Sequence, residues 1–175
     1  MRYLDERNVK MKDNNNFEIR QATEKDVPAI LNLILELAVY EKLLDEVVAT
    51  EESLREWIFE KGKAECLMAE QNGKPVGYAL FFHNFSTFLG RAGIYLEDIY
   101  VTPESRGLGL GKALFEKVAE IAVERQCGRL EWCCLDWNKP SIDFYLSMGA
   151  EPLDEWTLYR LSGDRLAKFG KQQQQ

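Results

Sequence analysis

Residues Tyr95-Leu96-Glu97-Asp98-Ile99-Tyr100-Val101-Thr102-Pro103-Glu104-Ser105-Arg106-Gly107-Leu108-Gly109-Leu110-Gly111-Lys112 carry the chain from an apolar, β-branched and aromatic run, past a proline, into a glycine-rich turn that opens a helix. Gly107, Gly109 and Gly111 alternate, so side chains are stripped away where the N–H groups of a helix start are unpaired and an anion can come close. Arg106 adds a positive charge beside them. The arrangement suits a pyrophosphate held along Arg106, Gly107, Leu108, Gly109, Leu110, Gly111 and Lys112. Neither G-x-G-x-x-G after a first strand nor G-x-x-x-x-G-K-[ST] is present, so the dinucleotide and P-loop readings do not apply. What stands is R-G-L-G-L-G, past the middle of the chain, and on the glycines alone a ligand-free strand-to-helix connection is an equal reading.

Ala92 to Val101 reads as the strand that feeds this loop, and the apolar spacing after it predicts a helix from about Gly109 to Arg125. A strand at Leu130 to Leu135 follows, and strand, crossover helix and strand in sequence imply a parallel pair. Farther upstream, Cys66 to Glu70 and Val76 to Phe82 flank Asn72-Gly73, whose positive φ angles suit a tight antiparallel hairpin. A short strand opens at Phe17. Thr23, Asp26 and Pro28 then mark the start of a helix with an apolar face of Ile30, Leu31, Ile34, Leu35, Leu37 and Ala38. Thr50-Glu51-Glu52-Ser53 starts a second helix with Leu54, Trp57 and Ile58 as its inner face. Pro140 sits in the first turn of a last helix ending near Gly149, and Trp156 to Leu161 alternates as a closing strand. This order predicts an α/β sheet with helices on both faces.

A length of 175 residues with 46% hydrophobic content supports one buried core, placed at residues 17–167. Residues 1–16 and 168–175 are polar and aperiodic and are expected to be disordered tails. The formal charge of −7, from 29 acids against 22 bases, would repel a phosphate backbone, and there is no basic stripe, so nucleic acid is not the expected partner. A cationic partner fits better. Cys66, Cys127, Cys133 and Cys134 form no C-x-x-C pair, so no metal is expected and the thiols read as buried and reduced. With no signal peptide and no long apolar segment, the protein is expected to be cytoplasmic and off the membrane. The single His83 reads as an ordinary strand-end residue.

The R-x-x-G-x-G loop resembles the pyrophosphate-binding motif of the GNAT acyl-CoA N-acetyltransferases. The resemblance runs from about Phe17 to about Leu161: Phe17 to Arg20 with Ala22 to Asp26 resembles that family's first strand and helix entry, and Leu135-Asp136-Trp137-Asn138 with Ser141 to Tyr145 and Gly149-Ala150 its late half. Tyr95 to Val101, Leu135 to Asn138 and Leu37-Ala38-Val39-Tyr40-Glu41-Lys42-Leu43 resemble the spermidine/spermine (diamine) acetyltransferases and their thialysine-acetylating relatives. Asp136, in place of a glutamate, leans toward the latter. The resemblance implies a mixed, mostly antiparallel sheet with a central splayed parallel strand pair and helices on both faces. It also implies acetyl-CoA as co-substrate and a homodimer.

Acetylation at neutral pH must bind an ammonium of pKa near 10.4, remove its proton, and stabilise a leaving thiolate. A tyrosine phenol can reprotonate the thiolate, and Tyr145 matches the family's general acid. Asn138, Pro140 and Ser141, on the same segment, match its coenzyme-contacting region, and the backbone of Ile99, Tyr100 and Val101 is where the resemblance places pantetheine contacts. Glu97 matches the carboxylate that holds the amine. On a regular strand Asp98 then faces the other side, although a bulge expected here would change that alternation. Tyr40, Glu41, Glu131, Trp132 and Cys133 match acceptor-side positions. The expected reaction is acetyl transfer to a primary amine of a small polyamine, diamine or thialysine- or lysine-like amino acid. The rivals are a protein N-terminal or lysine acetyltransferase and a non-catalytic acyl-CoA sensor.

Overall fold

The computed structural model describes residues 17–171, so the tail expected at residues 1–16 and the last four residues of the one expected at 168–175 lie outside it. The chain divides into two compact units, Met1–Cys133 and Cys134–Gln175. In the first unit five strands form one sheet in sequence order: β1 (Phe17–Gln21), β2 (Glu65–Gln71), β3 (Lys74–Ser86), β4 (Arg91–Val101) and β5 (Leu130–Glu131). All neighbours are antiparallel except β4 and β5, which gives the mixed, mostly antiparallel sheet that the resemblance implies. Asn72 at φ 53° and Gly73 at φ 74° make the tight turn between β2 and β3.

Helices cover both faces. Tyr78, Tyr100, Cys66 and Met68 share one face with Ile30 and Leu33 of α1 (Val27–Glu41). The alternate residues Leu67, Ala69, Phe81, Ile94 and Leu96 are buried on the other, where α3 (Leu110–Glu124) packs through Leu114 and Val118. At the entry to α1, Asp26 is buried yet accepts two bonds from Arg20, at 2.8 and 2.7 Å, and one from the Thr23 amide at 2.7 Å. These donors hold its carboxyl well below the usual range, the Arg20 bond being the largest cause.

Three sequence expectations need correction. The strand expected to reach Leu135 stops at Glu131, because β4 bulges just past the pair Tyr95↔Glu131 and its edge turns away from β5. The second helix is short: α2 (Glu51–Leu54) runs into a π-helical turn at Arg55–Glu60. That wider turn keeps Ile58 inside but carries Trp57 into solvent, where the Lys61 ammonium sits 3.9 Å from its ring centroid.

The third correction lies in the second unit, which holds α4 (Lys139–Ser147) and α5 (Gly163–Lys171). Trp156 to Leu161 is irregular and exposed there, not a strand. Among the described residues this unit has no other strand, so an extended segment finds no ladder partner for its N–H and C=O groups. The tail expected from Lys168 begins inside α5.

Candidate active site

Three features of the first unit converge on β4 and the loop after it. The first is the glycine turn. Beyond Val101 a short 3-10 turn at Pro103–Ser105 leads to Arg106, and Gly107 and Gly109 adopt left-handed φ of 78° and 84°. A Cβ on Gly107, Gly109 or Gly111 would meet nothing within 4 Å, so the surface above all three is open. Ala113 is the first amide of α3 to find an acceptor in its own helix, Gly109 O at 2.9 Å, and the amides of Leu110, Gly111 and Lys112 before it have none there. Open space over unpaired amides at a positive helix end fits a pyrophosphate.

Arg106 does less at this turn than its sequence position implies. Its Nε donates to Val101 O at 2.9 Å, and its guanidinium lies 5.1 Å from the ring centroid of Tyr40 and 5.5 Å from that of Tyr100. The charge is thereby pinned between α1 and β4. It lines a groove of about 730 Å³ with Asn32, Leu35, Glu36, Tyr40 and Tyr100. With its carbonyl so engaged, Val101 has its N–H as the group to offer a ligand.

The second feature is the bulge. Leu80 pairs with Asp98 and Phe81 with Leu96, leaving Glu97 as the extra, exposed residue of β4. The alternation switches there: Tyr95, Asp98 and Tyr100 share the α1 face, while Ile94 and Leu96 share the α3 face. Asp98 accepts the Tyr78 hydroxyl at 2.9 Å. Burial pushes its carboxyl up to about 6, with Glu97 and Glu41 adding to the rise and the Tyr78 bond opposing it. Glu41 is itself raised by burial, and the Tyr78 phenol is driven far above its ordinary range by the same cause.

Asp98 therefore keeps a proton up to about pH 6 that the unfolded chain releases near pH 4, so its contribution to stability falls as pH rises through that window. Asp98→Asn keeps an acceptor for Tyr78 without the charge. It is expected to raise Tm at neutral pH and to lose that advantage toward pH 4, as thermal melts across this range would read.

The third feature is the cluster around β5. Tyr95 donates its hydroxyl to Cys133 Sγ at 3.0 Å, and burial followed by this bond raises the phenol above its usual range. Glu131 accepts Asn84 Nδ2 at 2.6 Å, and Arg129 Nε lies 2.8 Å from the same carboxylate oxygen. Trp132, between Glu131 and Cys133, packs edge-on against Phe115 of α3, with centroids 5.1 Å apart. Sequence reasoning missed Asn84 and Arg129, since a strand asparagine and a lone arginine carry no spacing signal. Cys66 is buried as expected, whereas Cys133 is exposed and Cys127 and Cys134 lie between; all four are free thiols.

In the second unit, Asn138 Oδ1 accepts the Ser141 amide at 3.4 Å and caps α4, with Pro140 in its first turn. Tyr145 is half-buried on that helix, its ring centroid 5.4 Å from that of Phe144. Among the described residues no three His, Cys, Asp or Glu side chains are placed to hold a metal, and no helix is long and apolar enough to cross a membrane.

A mixed sheet whose parallel pair opens beside a bulged acidic strand, with an open glycine turn at the start of its crossover helix, is the arrangement that the resemblance implies for an acyl-CoA-dependent transferase. The Acetyltransferase (GNAT) family model matches residues 29–150, and the chain belongs to this family and is an amine N-acetyltransferase. The family's co-substrate is acetyl-CoA. The chain is 46% identical over 163 residues to a thialysine N-epsilon-acetyltransferase of Bos taurus, covering 86% of this chain and 95% of the relative. It is 33% identical over 199 residues to an L-ornithine N5-acetyltransferase of Arabidopsis thaliana, covering 87% of each. Among solved structures, an integron cassette protein from the mobile metagenome of V. cholerae superposes with a TM-score of 0.75 at 27% identity, covering 89% of this chain and 98% of that one.

Proposed function

We propose that this chain transfers acetyl from acetyl-CoA to a terminal primary amine of a small cationic acceptor, a diamine or polyamine or a thialysine- or lysine-like amino acid, by direct attack in a ternary complex. The observation that carries this reading is Glu97, set out of the ladder as the extra residue of a bulge, exposed, between the parallel pair and the glycine turn. Glu97 binds the ammonium and passes its proton to water. The neutral nitrogen then forms the amide bond as the C–S bond breaks, the Tyr145 hydroxyl protonates the departing thiolate, and the second proton shed by the nitrogen restores the phenol by way of water. Gly107 to Lys112 hold the pyrophosphate, with Asn138, Pro140 and Ser141 as further coenzyme contacts, and the free edge of β4 from Ile99 to Val101 receives the pantetheine. Tyr40, Glu41, Glu131, Trp132 and Cys133 line the acceptor side.

The relatives named for thialysine and L-ornithine support a small ω-amine over a peptide. Four free thiols support a cytoplasmic protein, and the reading includes a homodimer. The test is free-CoA release with a panel of diamines, polyamines, thialysine, lysine and peptide amines. Glu97→Gln is expected to raise the amine KM and lower kcat at neutral pH, with a smaller loss at alkaline pH and the acetyl-CoA KM unmoved. Loss of acetyl-CoA affinity with intact amine kinetics would instead assign Glu97 to strand support.

A further inference from the structure

The cluster at β5 separates charges in a way that a purely acidic acceptor channel would not need. Asn84 Nδ2 and Arg129 Nε both approach Glu131 Oε2, at 2.6 and 2.8 Å. The Arg129 contact is an ion pair by distance only, since the Nε–H is not aimed along it and finds no acceptor. Arg129 Nη2 is tied to Phe85 O at 3.3 Å. Glu131 Oε1 and Arg129 Nη1 have no partner among the described residues and are not sealed from solvent, their side chains being 28% and 36% exposed. One accessible acceptor and one accessible donor, of opposite charge, therefore stand side by side.

Glycine makes this possible. Gly93 pairs with Asn84, and a Cβ on it would collide with Asn84 Oδ1 and come within 2.9 Å of the Arg129 side chain. The bare backbone is what lets both side chains fold down over β4 beside Glu131.

Glu131 is level with Tyr95, just before the bulge that sets Glu97 out of the ladder, so both carboxylates belong to the same stretch of the β4–β5 edge. Tyr95 feels the charges of both Glu97 and Glu131, which places the two carboxylates in one local field.

We infer that Arg129 and Glu131 together form the recognition site for the α-amino-acid end of the acceptor, Arg129 taking the α-carboxylate and Glu131 the α-ammonium, so that the enzyme selects ω-amino acids over diamines of equal length. This rests on the proposed function and narrows its substrate class. A diamine would set its second ammonium against Arg129, whereas a zwitterion satisfies both members of the pair.

The test compares thialysine with its decarboxylated counterpart, bis(2-aminoethyl) sulfide, and with thialysine methyl ester. kcat/KM is measured at saturating acetyl-CoA for the wild type, Arg129→Gln and Arg129→Lys. The wild type is expected to prefer thialysine over both analogues by about tenfold or more. Arg129→Gln should lose that preference by lowering the thialysine rate alone, leaving the diamine within about twofold, and Arg129→Lys should recover part of it. The ester asks the same question of the wild type, so the result stands even where a variant fails to fold. Equal wild-type use of all three acceptors overturns the inference, as does an Arg129→Gln protein whose rates fall together or hold together. A wild type that acetylates thialysine and the diamine alike overturns this inference and leaves the proposed function standing. One that acetylates no small amine overturns the proposed function with it.

Discussion

Gly111→Val is expected to yield a folded protein with acetyl-CoA affinity reduced about a hundredfold or more. Gly111 lies in the first turn of α3 at an ordinary helical φ, and an added Cβ meets no atom within 4 Å, so the substitution costs little beyond helix propensity. Its branched side chain would fill the space above the unpaired amides, where the pyrophosphate is proposed to lie. Gly109→Val is the less clean variant, since its φ of 84° would strain any β-branched residue whether or not a ligand binds there. Arg106→Ala should weaken binding less, because its guanidinium is already committed to Val101 O. Calorimetric titration with CoA and with pantetheine fragments lacking the pyrophosphate reads the outcome. Unchanged CoA affinity in folded Gly111→Val would remove the turn from the site.

Tyr145→Phe carries the other large effect. Phenylalanine retains the ring and its packing beside Phe144 and deletes only the O–H, so Tm should hold within a few degrees and CoA should still bind. A positioned proton donor contributes roughly 10²–10⁴ in rate, and kcat is expected to fall by that factor, less with an acyl donor whose leaving thiol is more acidic. Near-wild-type kcat with chemistry rate-limiting would return Tyr145 to a packing role. An acyl-CoA sensor would bind the coenzyme equally well and show no turnover to lose.

Local rules settled a definite share of this protein. Asn72-Gly73 prescribed a hairpin because two successive positive φ angles leave few other turns, and both are present. The alternating glycines prescribed an open turn at a helix start for the same conformational reason, and the apolar spacing after Lys112 gave α3 with its buried face. Where a segment's structure depends on a partner, the pattern alone misled. Trp156 to Leu161 alternates like a strand yet has no ladder to join in its own unit, and Leu130 to Leu135 shortens to two residues because β4 bends away.

Tertiary structure alone decided the electrostatics. Adjacent Glu97 and Asp98 are told apart in sequence only by the family resemblance, but the bulge exposes one and sets the other against Tyr78 and the α1 face, where burial raises its pKa to about 6. Arg106 reads as a free cation beside the glycines, and the fold spends it on a carbonyl and two aromatic rings. Asn84 and Arg129 stand 45 residues apart, and only strand register brings both to Glu131. Sequence spacing encodes backbone conformation because φ and ψ are local. Charge environment is a sum over neighbours, and the neighbours are chosen by the sheet.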